Sequence, residues 1–195
     1  DAKRAILSAI RDNNPVVFVE HRMLYNLEDH VVETPYTSEI GKARVLQQGN
    51  DITIVGISHM VIEALRAHKH LESNGISAEI IDPIWLSPLD IDTIAASVEK
   101  TGRLLVVDTG WLPCGASAEI AIQVIESLQG RKNIIVERAG YAETPCPTTK
   151  PLENLFYPNS STIASQAFKM IYPNSLQWTP KGEEAEEITK FKGPF

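Results

Sequence analysis

The chain has 195 residues, of which 43% are hydrophobic and 22% are charged, a composition that excludes wholesale disorder. Its 25 aspartate and glutamate residues outnumber 18 lysine and arginine residues, giving a net charge of −7. That balance argues against a dedicated nucleic-acid binder, which usually presents a basic face. No apolar run approaches the roughly 18 residues of a membrane span, and no leader sequence is visible. With only two cysteines and therefore no disulfide framework, we expect a cytoplasmic protein.

Short apolar runs alternate with segments of helical period along the chain. The run PVVFV at residues 15–19 is typical of a buried strand, and a linker with little periodicity follows it. Further buried strands are predicted at residues 52–57, 78–82, 103–107 and 133–137, of which residues 52–57 are nearly all apolar.

The helices between these runs are predicted from their apolar stripes and their terminal residues. Ser58 and Ser87 are expected to cap two of them, with Pro88 in the first turn of the second. Gly75 and Gly102 are expected at helix C-termini, because glycine adopts the left-handed conformation without a steric penalty. A third helix is predicted between Gly115 and Gly130. Its apolar face is formed by Ser117, Ala121, Val124, Ile125 and Leu128, and a fourth helix is predicted at residues 161–171.

Strands that alternate with helices imply right-handed crossovers and a mostly parallel sheet. The sequence therefore predicts an α/β, three-layer domain at residues 38–172. Residues 1–37 are expected to be the end of another domain plus a linker, and residues 173–195 an acidic, mobile tail.

The loop at residues 108–115, after the third buried strand, is the first candidate for a ligand or partner site, because ligands of open α/β sheets bind beyond the carboxyl ends of the strands. Its candidate residues are Asp108, Gly110, Cys114 and Gly115. Two glycines before a helix could bind an anion through backbone N–H groups, although the pattern is neither a P-loop nor a dinucleotide fingerprint. The other interpretation is a simple strand-to-helix turn.

Catalytic and metal-binding arrangements are weakly supported. Cys114 precedes a helix, which would lower a thiol pKa, and His59 could act as its base, but Cys114 could equally be a small packing residue. His59 and Glu63 are four residues apart, yet two ligands do not make a metal site. A solvated helix face is the preferred interpretation for these residues and for His68 and His70. The sequence predicts no catalytic residue and no metal ligand.

An ordered set of segments resembles the beta subunits of 2-oxo acid dehydrogenases, over about residues 10–172. The segment PVVFVEHR at 15–22, followed by Leu24 and Tyr25, resembles the end of their pyrimidine-binding domain. The remaining segments resemble their transketolase-type C-terminal domain: residues 41–43, 51–55, 75–82, 86–90, 100–108 and 118–120, and the proline-studded residues 144–158. Transketolases and deoxyxylulose-phosphate synthases are more remotely similar. The loop departs from the family pattern at Thr109 and at residues 113–116.

The resemblance implies a parent enzyme that decarboxylates 2-oxo acids and transfers the acyl group, with thiamine diphosphate and magnesium as cofactors. The activating glutamate of that family lies earlier than this chain reaches, so no residue here inherits it, and no cofactor is expected on this fragment. A start at Asp1 rather than Met fits a portion of a longer subunit.

The implied role is subunit assembly and partner docking. The implied partners are an alpha subunit or the rest of the enzyme, in a homodimer or heterotetramer, and the acyltransferase core of a multienzyme complex. The location would be the cytoplasm, or the mitochondrial matrix in a eukaryote. The alternatives are a free-standing, non-catalytic module that binds a small anion or partner at residues 108–115, and an enzyme that depends on Cys114.

Overall fold

The computed structural model describes residues 2–25, 27–28 and 30–180. Among these residues one helix precedes the sheet, a linker with a short 3-10 helix at Arg22–Leu24 follows, and ten further elements come after it. The elements in chain order are α1 (Ala2–Arg11), β1 (Arg44–Gln47), β2 (Ile52–Gly56), α2 (Met60–Glu72), β3 (Ala78–Asp82), α3 (Ile91–Thr101), β4 (Arg103–Trp111), α4 (Ala116–Leu128), β5 (Ile135–Tyr141), α5 (Lys150–Phe156) and α6 (Ser160–Ile171).

The five strands form one sheet in the order β1-β3-β2-β4-β5. β2, β3, β4 and β5 are parallel, and β1 joins the edge antiparallel to β3. The fully buried β2 lies at the centre, where Ile54 is in register with Ile80 of β3 and Leu105 of β4. The mostly parallel sheet predicted from the sequence is therefore confirmed.

Each face of the sheet is covered by two helices, which makes three layers. Side chains of neighbouring strand positions point to opposite faces, so Ile54 and Leu105 pack against α2 and α6, whereas Val55 and Leu104 pack against α3 and α4. Burial on both faces explains why β2 and the first half of β4 are mostly apolar. The three-layer α/β architecture is confirmed.

The predicted glycines lie at the C-terminal ends of α2 and α3, whereas the predicted N-caps of these two helices are wrong. Gly75 and Gly102 have φ values of +74° at the ends of α2 and α3. Ser58 does not cap α2: it has a φ of 57°, and His59 occupies the cap position without a side-chain cap bond. α3 begins only at Ile91 and is capped by Asp90, whose carboxylate accepts a hydrogen bond from the Thr93 N–H at 3.2 Å. The prediction that Ser87 and Pro88 start this helix is wrong.

The predicted strand at residues 15–19 does not form. These residues have no regular secondary structure, and Val17 and Val19 are 88% and 81% exposed. A β-branched run favours a strand only where a neighbouring strand is available to pair with it. No described strand lies beside this one, so the prediction of a buried strand is wrong for the chain as it stands.

Smaller differences concern the later elements. β4 continues to Trp111, and β5 begins two residues later than predicted and continues to Tyr141. Ile125 lies on the exposed side of α4. The proline-rich segment contains the short helix α5, which tolerates Pro151 because a proline in the first turn breaks no helical hydrogen bond. The predicted last helix is confirmed as α6.

The segment after α6 is exposed at residues 173–177 and contacts the domain at its end. The Trp178 ring lies 4.9 Å from the Phe168 ring of α6, and Pro180 is buried. Residues 173–180 therefore differ from the expected mobile tail, while residues 181–195, including its acidic cluster, lie outside the described residues. No described helix is long and apolar enough to cross a membrane.

Candidate functional site

The candidate loop begins as a continuation of β4, because Asp108, Thr109, Gly110 and Trp111 all belong to that strand. The Asp108 side chain is buried and accepts backbone hydrogen bonds from Thr109 and from Ser117 in the first turn of α4. Burial raises the pKa of this carboxyl above its usual value, although both hydrogen bonds oppose the shift. The chain's own carboxylate thus occupies the N-terminus of α4, where the sequence suggested an external anion.

The glycines of the loop serve close backbone packing. A Cβ on Gly115 would lie 2.3 Å from the Trp111 carbonyl oxygen, and one on Gly110 would lie 3.0 Å from Asp108 Oδ2. Across the sheet, a Cβ on Gly140 of β5 would lie 2.6 Å from the Gly110 carbonyl oxygen. These contacts leave no room for side chains and describe a tight turn.

The turn between β4 and α4, residues 111–115, presents an exposed edge. Trp111 is 49% exposed, and Cys114 is exposed with a φ of 58°. The Arg138 guanidinium of β5 donates to the Leu112 carbonyl oxygen at 2.7 Å and fixes the turn. Because Cys114 is exposed, its interpretation as a small packing residue is wrong.

Cys114 and His59 do not form a nucleophile and base pair. Within the described ranges no hydrogen bond joins them, and His59 instead stacks on His21, with ring centroids 5.2 Å apart. The geometry required for thiol activation by a neighbouring imidazole is therefore missing from this arrangement.

An aromatic cluster that sequence reasoning missed lies next to the β4–α4 turn. Tyr141, which is in register with Trp111, stacks on Phe156 at 4.9 Å and meets Tyr157 edge-on at 5.2 Å. The Tyr157 hydroxyl lies 3.4 Å from Cys146 Sγ, and this hydrogen bond, with burial, raises the pKa of Tyr157. The cluster attaches the proline-rich segment to the end of β5. The sequence signal that could have predicted it is the presence of the three aromatic residues that flank that segment.

The histidine-bearing face of α2 is not solvated as predicted. His59, Glu63 and His68 are all buried, while His70 is half-buried. Glu63 Oε2 accepts a hydrogen bond from the Ser160 N–H at 2.7 Å, and its other oxygen lies 2.6 Å from Arg66 Nη1 and 3.8 Å from His59 Nε2. Within the part of the chain that the structure describes, no group of three or more histidine, cysteine, aspartate or glutamate residues could hold a metal ion.

Comparison with known proteins places this architecture in a family. The model of the transketolase C-terminal domain matches residues 41–163. The beta subunit of acetoin:2,6-dichlorophenolindophenol oxidoreductase from Cupriavidus necator is 42% identical over 169 residues, which are 87% of this chain and 50% of the relative. The beta subunit of the pyruvate dehydrogenase E1 component from Bacillus subtilis is 41% identical over 172 residues, which are 88% of this chain and 53% of the relative.

The chain spans about half the length of these curated relatives. Among solved structures, a split-gene transketolase, an inactive beta4 tetramer, is similar with a TM-score of 0.62 and 26% identity, over 73% of this chain and 46% of that one. The resemblance to 2-oxo acid dehydrogenase beta subunits is thereby confirmed. The protein belongs to the transketolase C-terminal domain family.

Proposed function

We propose that this chain is the assembly domain of a beta subunit of a thiamine-diphosphate-dependent 2-oxo acid dehydrogenase. It provides contacts between subunits and a docking surface for the acyltransferase core, and the chemistry takes place elsewhere in the enzyme. The observation that carries the proposal is the family match together with relatives that are themselves beta subunits of such oxidoreductases. The enzyme acts in the cytoplasm, or in the mitochondrial matrix of a eukaryote.

The exposed run at residues 15–19 supports assignment of residues 1–37 to the end of a preceding pyrimidine-binding domain. Leaving Val17 and Val19 in water forfeits roughly 1.5–3 kcal/mol of burial free energy for each side chain. A β-branched strand of this kind is stable once it pairs with a neighbouring strand. The preceding domain would supply that strand in the parent subunit.

The residues of this domain do not fit thiamine diphosphate and magnesium. A diphosphate needs free backbone N–H donors or basic side chains, and the Asp108 carboxyl already accepts a hydrogen bond from the Ser117 N–H in the first turn of α4. The described residues also hold no group of three or more histidine, cysteine, aspartate or glutamate residues that could bind a metal ion. We therefore place the cofactor outside these residues, between other parts of the enzyme, and derive no catalytic step here.

The β4–α4 turn is our candidate contact with a second copy of the chain. An exposed tryptophan on a rigid turn is the kind of anchor that dominates interface energies, because its large surface is buried at little conformational cost. Trp111 has this exposure, and Gly115 and Arg138 hold the turn in place. Self-association of the beta chains of the split-gene transketolase agrees with this assignment.

Sedimentation equilibrium over a range of protein concentrations tests the proposal. We expect the chain to dimerise, and Trp111→Ser to weaken the dimer at least tenfold. Leu155→Ser, at another exposed apolar position, is the matched control and should leave the dissociation constant unchanged. A chain that stays monomeric at high concentration contradicts the assembly role. A dimer whose dissociation constant is unchanged by Trp111→Ser contradicts the location of the contact but not the assembly role.

A further inference from the structure

Two stacked histidine rings join the linker to the α/β domain. His21 lies in the linker segment (residues 12–40), and His59 lies at the N-terminus of α2, after the central strand. Their ring planes are 14° apart with centroids separated by 5.2 Å. We propose that these two imidazoles form a pH-sensitive clasp, closed while both rings are neutral, that holds the middle of the linker on the domain.

The His21 ring is held in a neutral form by the backbone. Its Nδ1 accepts a hydrogen bond from the Met23 N–H at 3.3 Å, so this nitrogen carries no proton. The same residue starts the 3-10 helix, where the Leu24 N–H donates to the His21 carbonyl oxygen at 3.0 Å. A second proton on the His21 ring would occupy Nδ1, which could then no longer accept the Met23 N–H and cap the 3-10 helix.

His59 lies where a positive charge is poorly accommodated. It is 7% exposed, its Nδ1 has no hydrogen-bond partner in the described chain, and it lies at the positive end of the α2 dipole. The charged and titratable groups that face it are Glu63, Arg66 and His21.

Glu63 is the one group among these that would favour an imidazolium, at 3.8 Å from Nε2. Its two carboxylate oxygens already serve the Ser160 N–H and the Arg66 guanidinium. Burial is the largest influence on both rings and lowers the pKa of His59 and of His21, in agreement with the geometry.

Proton uptake therefore favours the open clasp. At high pH both imidazoles are neutral in the closed and in the open clasp, so pH has no effect on closing. Because the closed clasp lowers the imidazole pKa, the open clasp takes up protons more readily, and the closed clasp loses stability as the pH falls through the ordinary pKa of about 6.5. Contacts with α1 hold other parts of the linker: the Lys3 ammonium donates to the Val32 carbonyl oxygen, and the Ser8 hydroxyl donates to the Ser38 carbonyl oxygen at 2.7 Å. Opening is thus local to the 3-10 helix.

Hydrogen exchange of the amides of residues 23–25, corrected for the intrinsic pH dependence, measures this opening. As the pH falls from 7.5 to 5.5, protonation of each histidine should raise the equilibrium constant for opening by up to about tenfold. NMR of the imidazole Cε1–H resonances of the same protein should show both histidines titrating below about pH 6.5.

Variants assign the effect to the two rings. His21→Phe keeps an aromatic stack without a titratable group, and we expect it to reduce the pH dependence. His21→Phe combined with His59→Phe should remove it, whereas His70→Gln, on the same helix, should leave it unchanged. Corrected exchange that is independent of pH in the wild-type chain would overturn the proposal. So would a double variant with undiminished pH dependence, or ordinary titration of both rings.

Discussion

Glu63 connects α2 to α6, and replacing it with alanine should destabilise the domain strongly. The carboxylate is 1% exposed, and its oxygens lie 2.7 Å from the Ser160 N–H and 2.6 Å from Arg66 Nη1. Hydrogen bonds to a charged group contribute about 1.5–3 kcal/mol each, with the partly exposed Arg66 at the lower end. Allowing for rescue by water, Glu63→Ala should reduce the free energy of unfolding by about 3 kcal/mol.

Urea unfolding followed by circular dichroism at 222 nm measures this change. With a slope of roughly 2 kcal/mol per molar for a chain of this size, the midpoint should fall by about 1.5 M. Glu63→Gln keeps an acceptor for the Ser160 N–H and should cost about half as much. Glu126→Ala, on the exposed side of α4, is the control and should change stability by less than about 0.5 kcal/mol. A loss below about 1 kcal/mol for Glu63→Ala would refute the assignment of Glu63 as an anchor of α6.

Three further predictions concern the turn, the site carboxylate and the core. Gly115→Ala should lower the free energy of unfolding by at least about 2 kcal/mol, because its Cβ would lie 2.3 Å from a carbonyl oxygen. Gly75→Ala has nothing within 4 Å of its Cβ but a φ of +74°, and should lower it by about 1 kcal/mol. Equal losses in urea unfolding would refute the steric argument. Because burial raises the pKa of Asp108, the folded state binds its proton more readily, and the contribution of this carboxyl to stability falls as the pH rises from about 4 through its folded-state pKa. Asp108→Asn should make this decline shallower, and an unchanged slope in denaturation measured from pH 4 to pH 7 would contradict the sign. Leu105→Ala should cost about 3–4 kcal/mol by urea unfolding, because the side chain is fully buried in the central layer; a loss below about 1.5 kcal/mol would show that the layer repacks.

The sheet interior could be predicted from the sequence because burial on both faces requires a continuous apolar run. Residues 52–57 carry a nearly continuous run and form β2 at Ile52–Gly56. β3 also has its predicted bounds, although it includes Glu79 and Asp82. β1 escaped prediction because it is an antiparallel edge strand that is only partly buried, and its residues RVLQ carry no such run. The run at residues 15–19 is apolar but forms no strand. Strand propensity alone leaves the backbone irregular where no partner strand is available.

The helix N-termini and the site depend on spatial contacts that spacing does not reveal. Ser87 and Asp90 are both good cap residues, and the choice of Asp90 is explained by its additional bonds to the Ala43 N–H at 3.0 Å and the Thr93 hydroxyl at 2.7 Å. His59 seemed solvated because its cover comes from His21 in the distant linker. The candidate loop lies at the carboxyl edge of the sheet, and its role as a binding site stays a prediction. Spacing could not show that the Asp108 carboxyl accepts a hydrogen bond from Ser117 of the following helix.

Isothermal titration of the chain with thiamine diphosphate in the presence of Mg²⁺ tests the central claim most directly. The claim is that this domain supplies subunit contacts and holds no part of the cofactor site by itself. We expect no saturable heat and no shift of the thermal unfolding midpoint. Saturable binding that is abolished by a substitution within residues 2–180 would contradict the account, because it would place a cofactor site in the domain.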